Sequence, residues 1–158
     1  MRNGITLASQ HGQTHDWQAV GLVLALQGAL ALALSAYDTA NPEDILDPQP
    51  GKGGVKRLAP VSLLLRRGGS LDYLSDPERL AMPRGQVRAL TALVERRNRV
   101  LHPLESAPST GEDLSQEVSA AVAALNHLLI DHPAFDAGRF TVHMMAIRDG
   151  LRSLAAAD

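Results

Sequence analysis

From Gln18 through Tyr37 the chain carries no charged residue. A stretch of that length and apolarity has two physical homes, a bilayer or the inside of a helical bundle. Gln18, Gln27 and Ser35, together with Gly21 and Gly28, weaken the bilayer reading. Arg2 is the only basic residue before the stretch, so it makes a poor signal-peptide leader. The sequence therefore predicts a buried helix of a soluble protein over about 17–37, with Asp16 as its N-cap. Gly21, Ala25, Ala29 and Ala33 recur every four residues, beside a parallel ridge of Leu22, Leu26, Leu30 and Leu34. The small ridge lets another helix approach, and the leucines fill the space between helices. Such a helix belongs at the centre of a bundle or in a dimer interface.

The rest of the chain agrees with helix packed on helix. Aromatic residues are only 3%, so the core must come from Leu, Ala and Val, which suits a bundle better than a β-sandwich. The reading is a single domain over residues 1–158, all-α, with about five helices. A polar arm occupies 1–15. There His11 and His15 have helical spacing, but no third ligand is evident, so no metal site is expected. A long loop covers 38–57, marked by Asn41-Pro42, Asp47-Pro48 and Pro50-Gly51. Gly51-Lys52-Gly53-Gly54 within it lacks the spacing of a phosphate-binding loop. A short helix over 58–67 should stop at Gly68-Gly69, and Ser70 should cap a further turn. After a connector at 76–83, a helix is expected over 83–101. Thr110-Gly111-Glu112-Asp113 resembles a capping box. The helix it opens should run to about 131 with Leu114, Val118, Ala121, Leu125 and Leu128 inward, and His127 beside them as a structural, hydrogen-bonded residue. A last helix, 139–156, should bury Phe140, Met144, Ile147, Leu151 and Leu154.

The chain has no cysteine, which excludes disulfides, zinc ribbons and thiol nucleophiles and fits a cytoplasmic protein. A formal net charge of −2 excludes a uniformly basic nucleic-acid coat, so contact with RNA or DNA must use a local patch. The segment Val94–Pro103 supplies one. Val87, Leu90, Val94 and Leu101 fall three, four and seven residues apart, and position 97 completes their stripe. Arg97 occupies it, so an arginine is expected on the core-facing side, where it must find a carboxylate, carbonyls, water or an anion. Arg84, Arg88, Glu95 and Arg99 fall on the solvated face. Pro103 disfavours helix at His102. In an unbroken helix Arg97 and His102 would stand about 140° apart, and release of the helix at His102 is what could bring them together. Asn98 and His102 share a face directly.

Arg97-Asn98-Arg99-Val100-Leu101-His102 reads R-N-x-x-x-H. With a long apolar first helix, a variable loop region, the motif helix and a further amphipathic helix in that order, the chain resembles the HEPN superfamily. That resemblance implies a compact α-helical domain, commonly a homodimer that brings two motifs into one cleft. It also implies a metal-independent endoribonuclease without cofactor, of the kind found as toxins in toxin–antitoxin or defence systems. In this chain His102 would be general base or acid, Arg97 would stabilise transition-state charge and Asn98 would orient the histidine or a phosphate oxygen, while Arg96 and Arg99 would follow the RNA backbone. A nucleotidyltransferase-like antitoxin would be a natural partner. The alternative is a non-catalytic dimeric regulator or partner-binding protein with the same fold, in which Arg97 pairs with a carboxylate and His102 merely ends a helix.

Overall fold

The computed structural model describes residues 14–37, 41–49, 51–102, 114–133 and 138–156. Five α-helices make up most of these residues: α1 (Thr14–Ala36), α2 (Val61–Gly68), α3 (Arg84–Leu101), α4 (Ser115–Asn126) and α5 (Thr141–Ala155). Extended pairing among the described residues is limited to one antiparallel bridge, Leu46 with Leu58. The expected all-α bundle is what forms. The arm 1–13, the capping box at 110–113 and Pro103 lie outside the described residues.

α1 is the hub, packing against α2, α3 and α4. Leu22, Leu26, Leu30 and Leu34 are all buried, as the ridge predicts. The small-residue ridge is used only in its second half. Ala29 and Ala33 are buried, but Gly21 and Ala25 are exposed, and a Cβ at Gly21 would meet nothing. The close approach comes instead from α2, where a Cβ on Gly68 would lie 2.8 Å from Leu30 Cδ2. The outer face of α1 stays open, leaving Trp17 55%, Leu24 55% and Leu32 40% exposed. By length and composition alone α1 could also cross a membrane. Thus α1 is central on one side and bare on the other.

Beyond Tyr37 the loop is more built than its turn signals suggest. Asn41 caps a 3-10 turn at Pro42–Ile45 by accepting from Glu43 N. Gly51 N donates to Val55 O at 2.9 Å, closing a tight turn in which Gly53 takes a φ of 77° that only glycine adopts readily. The two limbs are tied by Asp47 N to Arg57 O and Ala59 N to Ile45 O, both 2.8 Å. This pairing delays α2. Leu58 is bridged to Leu46, and Ala59 precedes a proline, so the helix starts at Val61 rather than at 58.

Arg67, in the last turn of α2, holds this loop from inside. It is 9% exposed; Nη1 donates to Asp44 O and to Leu46 O, the latter at 2.8 Å, and the guanidinium lies over the Tyr73 ring. A buried cation is tolerable here because two carbonyls and an aromatic face replace part of its water.

α4 keeps its expected stripe, with Leu114, Val118, Ala121, Leu125 and Leu128 all buried. Its last turn widens to a π turn, His127–Asp131, closed by His132 N to His127 O at 3.0 Å. Tyr37, at the end of α1, sets its hydroxyl against the carbonyls of Leu128 and His132. Burial, and then the nearby Glu78 carboxylate, push that phenol well above its usual pKa, so it stays a proton donor. His127 is structural, as expected, with Nε2 3.3 Å from Glu78 O and its ring edge-on to His132. α5 buries Met144 and Leu151 and half-buries Ile147 and Leu154, but Phe140 is exposed. Phe140 precedes the first helical residue, so the helical stripe does not include it.

Replacing Arg67 by Met should loosen the loop without unfolding the bundle. Hydrogen exchange should show faster exchange at the amides of Asp47 and Ala59, while the α1 and α4 amides keep their protection. Equal loss in all of them would mean that Arg67 supports the whole core.

Candidate functional site

α3 presents a different face to the core from the one its most apolar stripe suggests. Leu90, Leu93 and Arg96 are buried, whereas Val87 and Leu101 are exposed and Val94 only half-buried. Taking 100° per residue, the buried face is turned about 90° from the Val87–Leu90–Val94 stripe. Two partners cause the rotation. Leu93 fits against the core formed by α1 and α4, and Arg96 finds a carboxylate there.

Arg96 is therefore the inward arginine. It is 4% exposed, and its Nε donates to Asp16 Oδ1 at 3.0 Å. Asp16 lies in the first turn of α1, where a negative charge also suits the helix dipole. This corrects two expectations. Asp16 sits inside the helix rather than at its N-cap, and Arg96 is a structural cation, enclosed and ion-paired, that cannot follow an RNA backbone.

Arg97 is half-buried at the edge of the core. Its Nη1 donates to Asn98 Oδ1 at 2.8 Å, and its Nε is buried without a hydrogen-bond partner among the described residues. Asn98 is exposed, and its backbone carbonyl accepts from His102 N at 2.9 Å, the last bond of the helix. His102 caps α3 with a non-helical backbone and an exposed ring, in keeping with release before Pro103. The described contacts join Arg97 to Asn98 but do not bring the His102 ring onto Arg97. Arg99 is half-buried on the other flank. Within one chain, then, the five motif residues divide. Arg97, Asn98 and His102 reach solvent at the C-terminal end of α3, Arg96 faces the core, and Arg99 stands apart.

The stripe that is not core lines something else. A groove of about 610 Å³ opens between α2 and α3, and Val87, Leu90, Thr91, Val94, Glu95 and Asn98 form its α3 wall. Across it stand Leu65 and Arg66 of α2, with Arg79 and Leu80 from the connector. Sequence reasoning missed this groove. The available signal was an apolar stripe on α3 wider than one buried face requires. Among the described residues no group of three or more His, Asp or Glu side chains could hold a metal.

Comparison with family models, with curated proteins and with solved structures finds no match for this chain.

The buried pair should respond asymmetrically to mutation. Asp16→Ala leaves Arg96 enclosed with its carboxylate gone, at a cost of about 2–4 kcal/mol. Arg96→Met leaves an aspartate with a quarter of its side chain in solvent and fills the space with apolar atoms, costing about 1–2 kcal/mol. Urea denaturation of both variants tests the order, which reverses if Asp16 rather than Arg96 is the group that cannot tolerate being left alone.

Proposed function

We propose that the chain is a HEPN-like endoribonuclease, acting without a metal, in which Arg97, Asn98 and His102 work on an RNA phosphodiester. The observation that carries this reading is the state of Arg97. Its guanidinium is half withdrawn from water, is steered by Asn98, keeps one buried N–H unpartnered, and stands at the helix end where His102 is exposed. An arginine held this way is poised to take up oxyanion charge. In the proposed reaction His102 accepts the proton of the ribose 2′-OH, whose oxygen attacks the neighbouring phosphorus. The P–O5′ bond breaks, leaving a 2′,3′-cyclic phosphate on one product, and the departing 5′-oxygen takes up a proton. Arg97 offsets charge on the non-bridging oxygens as the pentacoordinate state forms. Of the two arginines expected to follow the RNA backbone, Arg99 alone keeps that role.

That no contact among the described residues joins the His102 ring to Arg97 fits a composite site made by two copies. The bare outer face of α1, with Trp17, Leu24 and Leu32 and no charge from Gln18 onward, is a suitable surface for pairing. Because Asp16 holds Arg96, the motif sits beside the N-terminal turns of that same helix. The same apolar face supports the second reading, a non-catalytic regulator whose partner, such as a nucleotidyltransferase-like antitoxin, covers α1. Under either reading the protein works in the cytoplasm.

Purified protein should cleave single-stranded RNA in EDTA and leave cyclic phosphate ends. Arg97→Ala and His102→Ala should each lower the rate about 10²–10⁴-fold with the circular dichroism spectrum unchanged. Full activity in both variants would sink the ribonuclease reading. Leu24→Glu, placed on the exposed face, should convert a dimer to monomer in sedimentation and reduce cleavage with it. A wild-type chain that is already monomeric would remove the composite site.

A further inference from the structure

The α2–α3 groove has a mixed lining that a purely structural crevice does not need. Leu80 and Leu90 form a buried floor, and Leu65 and Val94 flank it half-exposed. At the α2 side Arg66 is exposed, and among the described residues its guanidinium has no carboxylate partner. Arg79 stands beside it, fixed by Asp76 (Nε to Oδ1 2.9 Å) and by Gly69 O at 3.5 Å. At the α3 side Glu95 and Asn98 are exposed along the rim. One end therefore offers positive charge, the middle offers aliphatic surface, and the far wall offers a carboxylate and an amide.

That order of chemistry is selective. An aliphatic carboxylate would use the arginines and the floor but would leave the Glu95 and Asn98 rim to solvent. A nucleotide uses all three zones. Its phosphate suits Arg66, which can bind it bidentately, with Arg79, ion-paired to Asp76, as a fixed neighbouring N–H donor. Its base lies against the leucines and valine. Its ribose hydroxyls or exocyclic amine can donate to Glu95. Asn98 Oδ1 is already taken by Arg97, which leaves the Nδ2 amino group as the donor that Asn98 offers a ligand. A volume of about 610 Å³ falls within the range of small-molecule sites. We infer that the groove between α2 and α3 is a nucleotide subsite, with the phosphate on Arg66 and Arg79, the base on the leucine floor and the sugar or base edge at Glu95 and Asn98.

This assignment rests on the ribonuclease reading for its meaning, because Asn98 belongs to both places. A nucleotide in the groove with its 5′-phosphate at Arg66 directs its 3′ side toward Asn98, one helical turn from His102. The groove then seats the residue next to the scissile bond and sets which base is accepted there. Its lining provides no aromatic ring, so recognition relies on the arginine and on the polar rim rather than on stacking.

The test is titration of the full chain with the four ribonucleoside 5′-monophosphates and with a tetraribonucleotide, read by amide chemical shifts and calorimetry. Shifts are expected at Leu65, Thr91 and Asn98. Arg66→Ala should weaken binding about tenfold, as expected for loss of a charge-assisted contact. Thr91→Trp, an exposed position on the groove wall, should abolish binding by filling it, and Arg152→Ala on α5 should change nothing. Tighter binding of the tetranucleotide assigns the groove to RNA, and tighter binding of the monophosphate assigns it to free nucleotide. Absence of groove shifts at millimolar monophosphate, undiminished binding by Thr91→Trp, or binding of decanoate with no nucleotide bound overturns the inference. Cleavage separates it from the parent reading. Loss of cleavage in Arg97→Ala and His102→Ala with normal behaviour of Thr91→Trp rejects the groove alone. Nucleotide binding in the groove with full cleavage by both motif variants rejects the ribonuclease site alone.

Discussion

The leucine ridge of α1 is the contact on which the other helices depend. Leu22, Leu26, Leu30 and Leu34 run the length of the inner face, and α2, α3 and α4 are placed by what they bring to it. Each such side chain contributes about 1.5–3 kcal/mol on burial. With so few rings available, the bundle has no single large anchor and relies on a long row of equal ones. Its two ends are closed by polar groups. At the C-terminal end Tyr37 answers carbonyls that the π turn of α4 leaves at Leu128 and His132. At the N-terminal end Asp16 answers Arg96.

The Asp16–Arg96 pair fixes the rotation of α3. A helix with apolar residues at 87, 90, 93, 94 and 101 could be buried through either of two overlapping stripes. Arg96 breaks that ambiguity, because one guanidinium on the inner face can be accommodated only where a carboxylate already waits. Once Arg96 is turned in, Arg97 is carried to the margin of the core and Asn98 into the wall of the groove. The placement of Arg97 and Asn98 at the end of α3 is thus a consequence of an ion pair to which neither belongs.

The helices and their order were legible in the sequence because each rests on local signals of its own. Asn41, Pro60 and Gly68-Gly69 punctuate the chain where elements change, and the α4 stripe from Leu114 to Leu128 is unambiguous. The start of α2 was misplaced because the pairing of Leu46 with Leu58 was not foreseen and the local signal of Pro60, which disfavours helix at Ala59, was not weighed. The identity of the inward arginine was misplaced by a distant contact. Choosing between Arg96 and Arg97 requires knowing that Asp16, 80 residues earlier, lies opposite. Periodicity finds a helix and its apolar width, but its phase against the core is set by tertiary partners. Of the candidate site, the release of the helix at His102 follows from sequence. Burial of Arg96 and the existence of the groove do not.

The disposition of the arginines also reconciles a net negative chain with the anion sites proposed for it. Enclosed charge is answered locally: Arg96 is neutralised by Asp16, and Arg67 is solvated by two carbonyls and the Tyr73 face, with its Nε left unpartnered among the described residues. Arg79 is largely offset by Asp76. Arg84 and Arg88 are exposed to bulk solvent, where a lone charge is screened and attracts little. Arg66 and Arg97 differ from Arg67 in reaching solvent and from the other arginines in their surroundings. Each combines a partly unanswered guanidinium with apolar surface that lowers the local dielectric, Arg66 at the rim of a leucine-floored groove and Arg97 at the margin of the core. An anion bound at either place gains more than it would on an open basic surface. At the sites proposed, affinity for phosphate would therefore depend on where two arginines meet apolar walls, and the total charge is a poor guide to it.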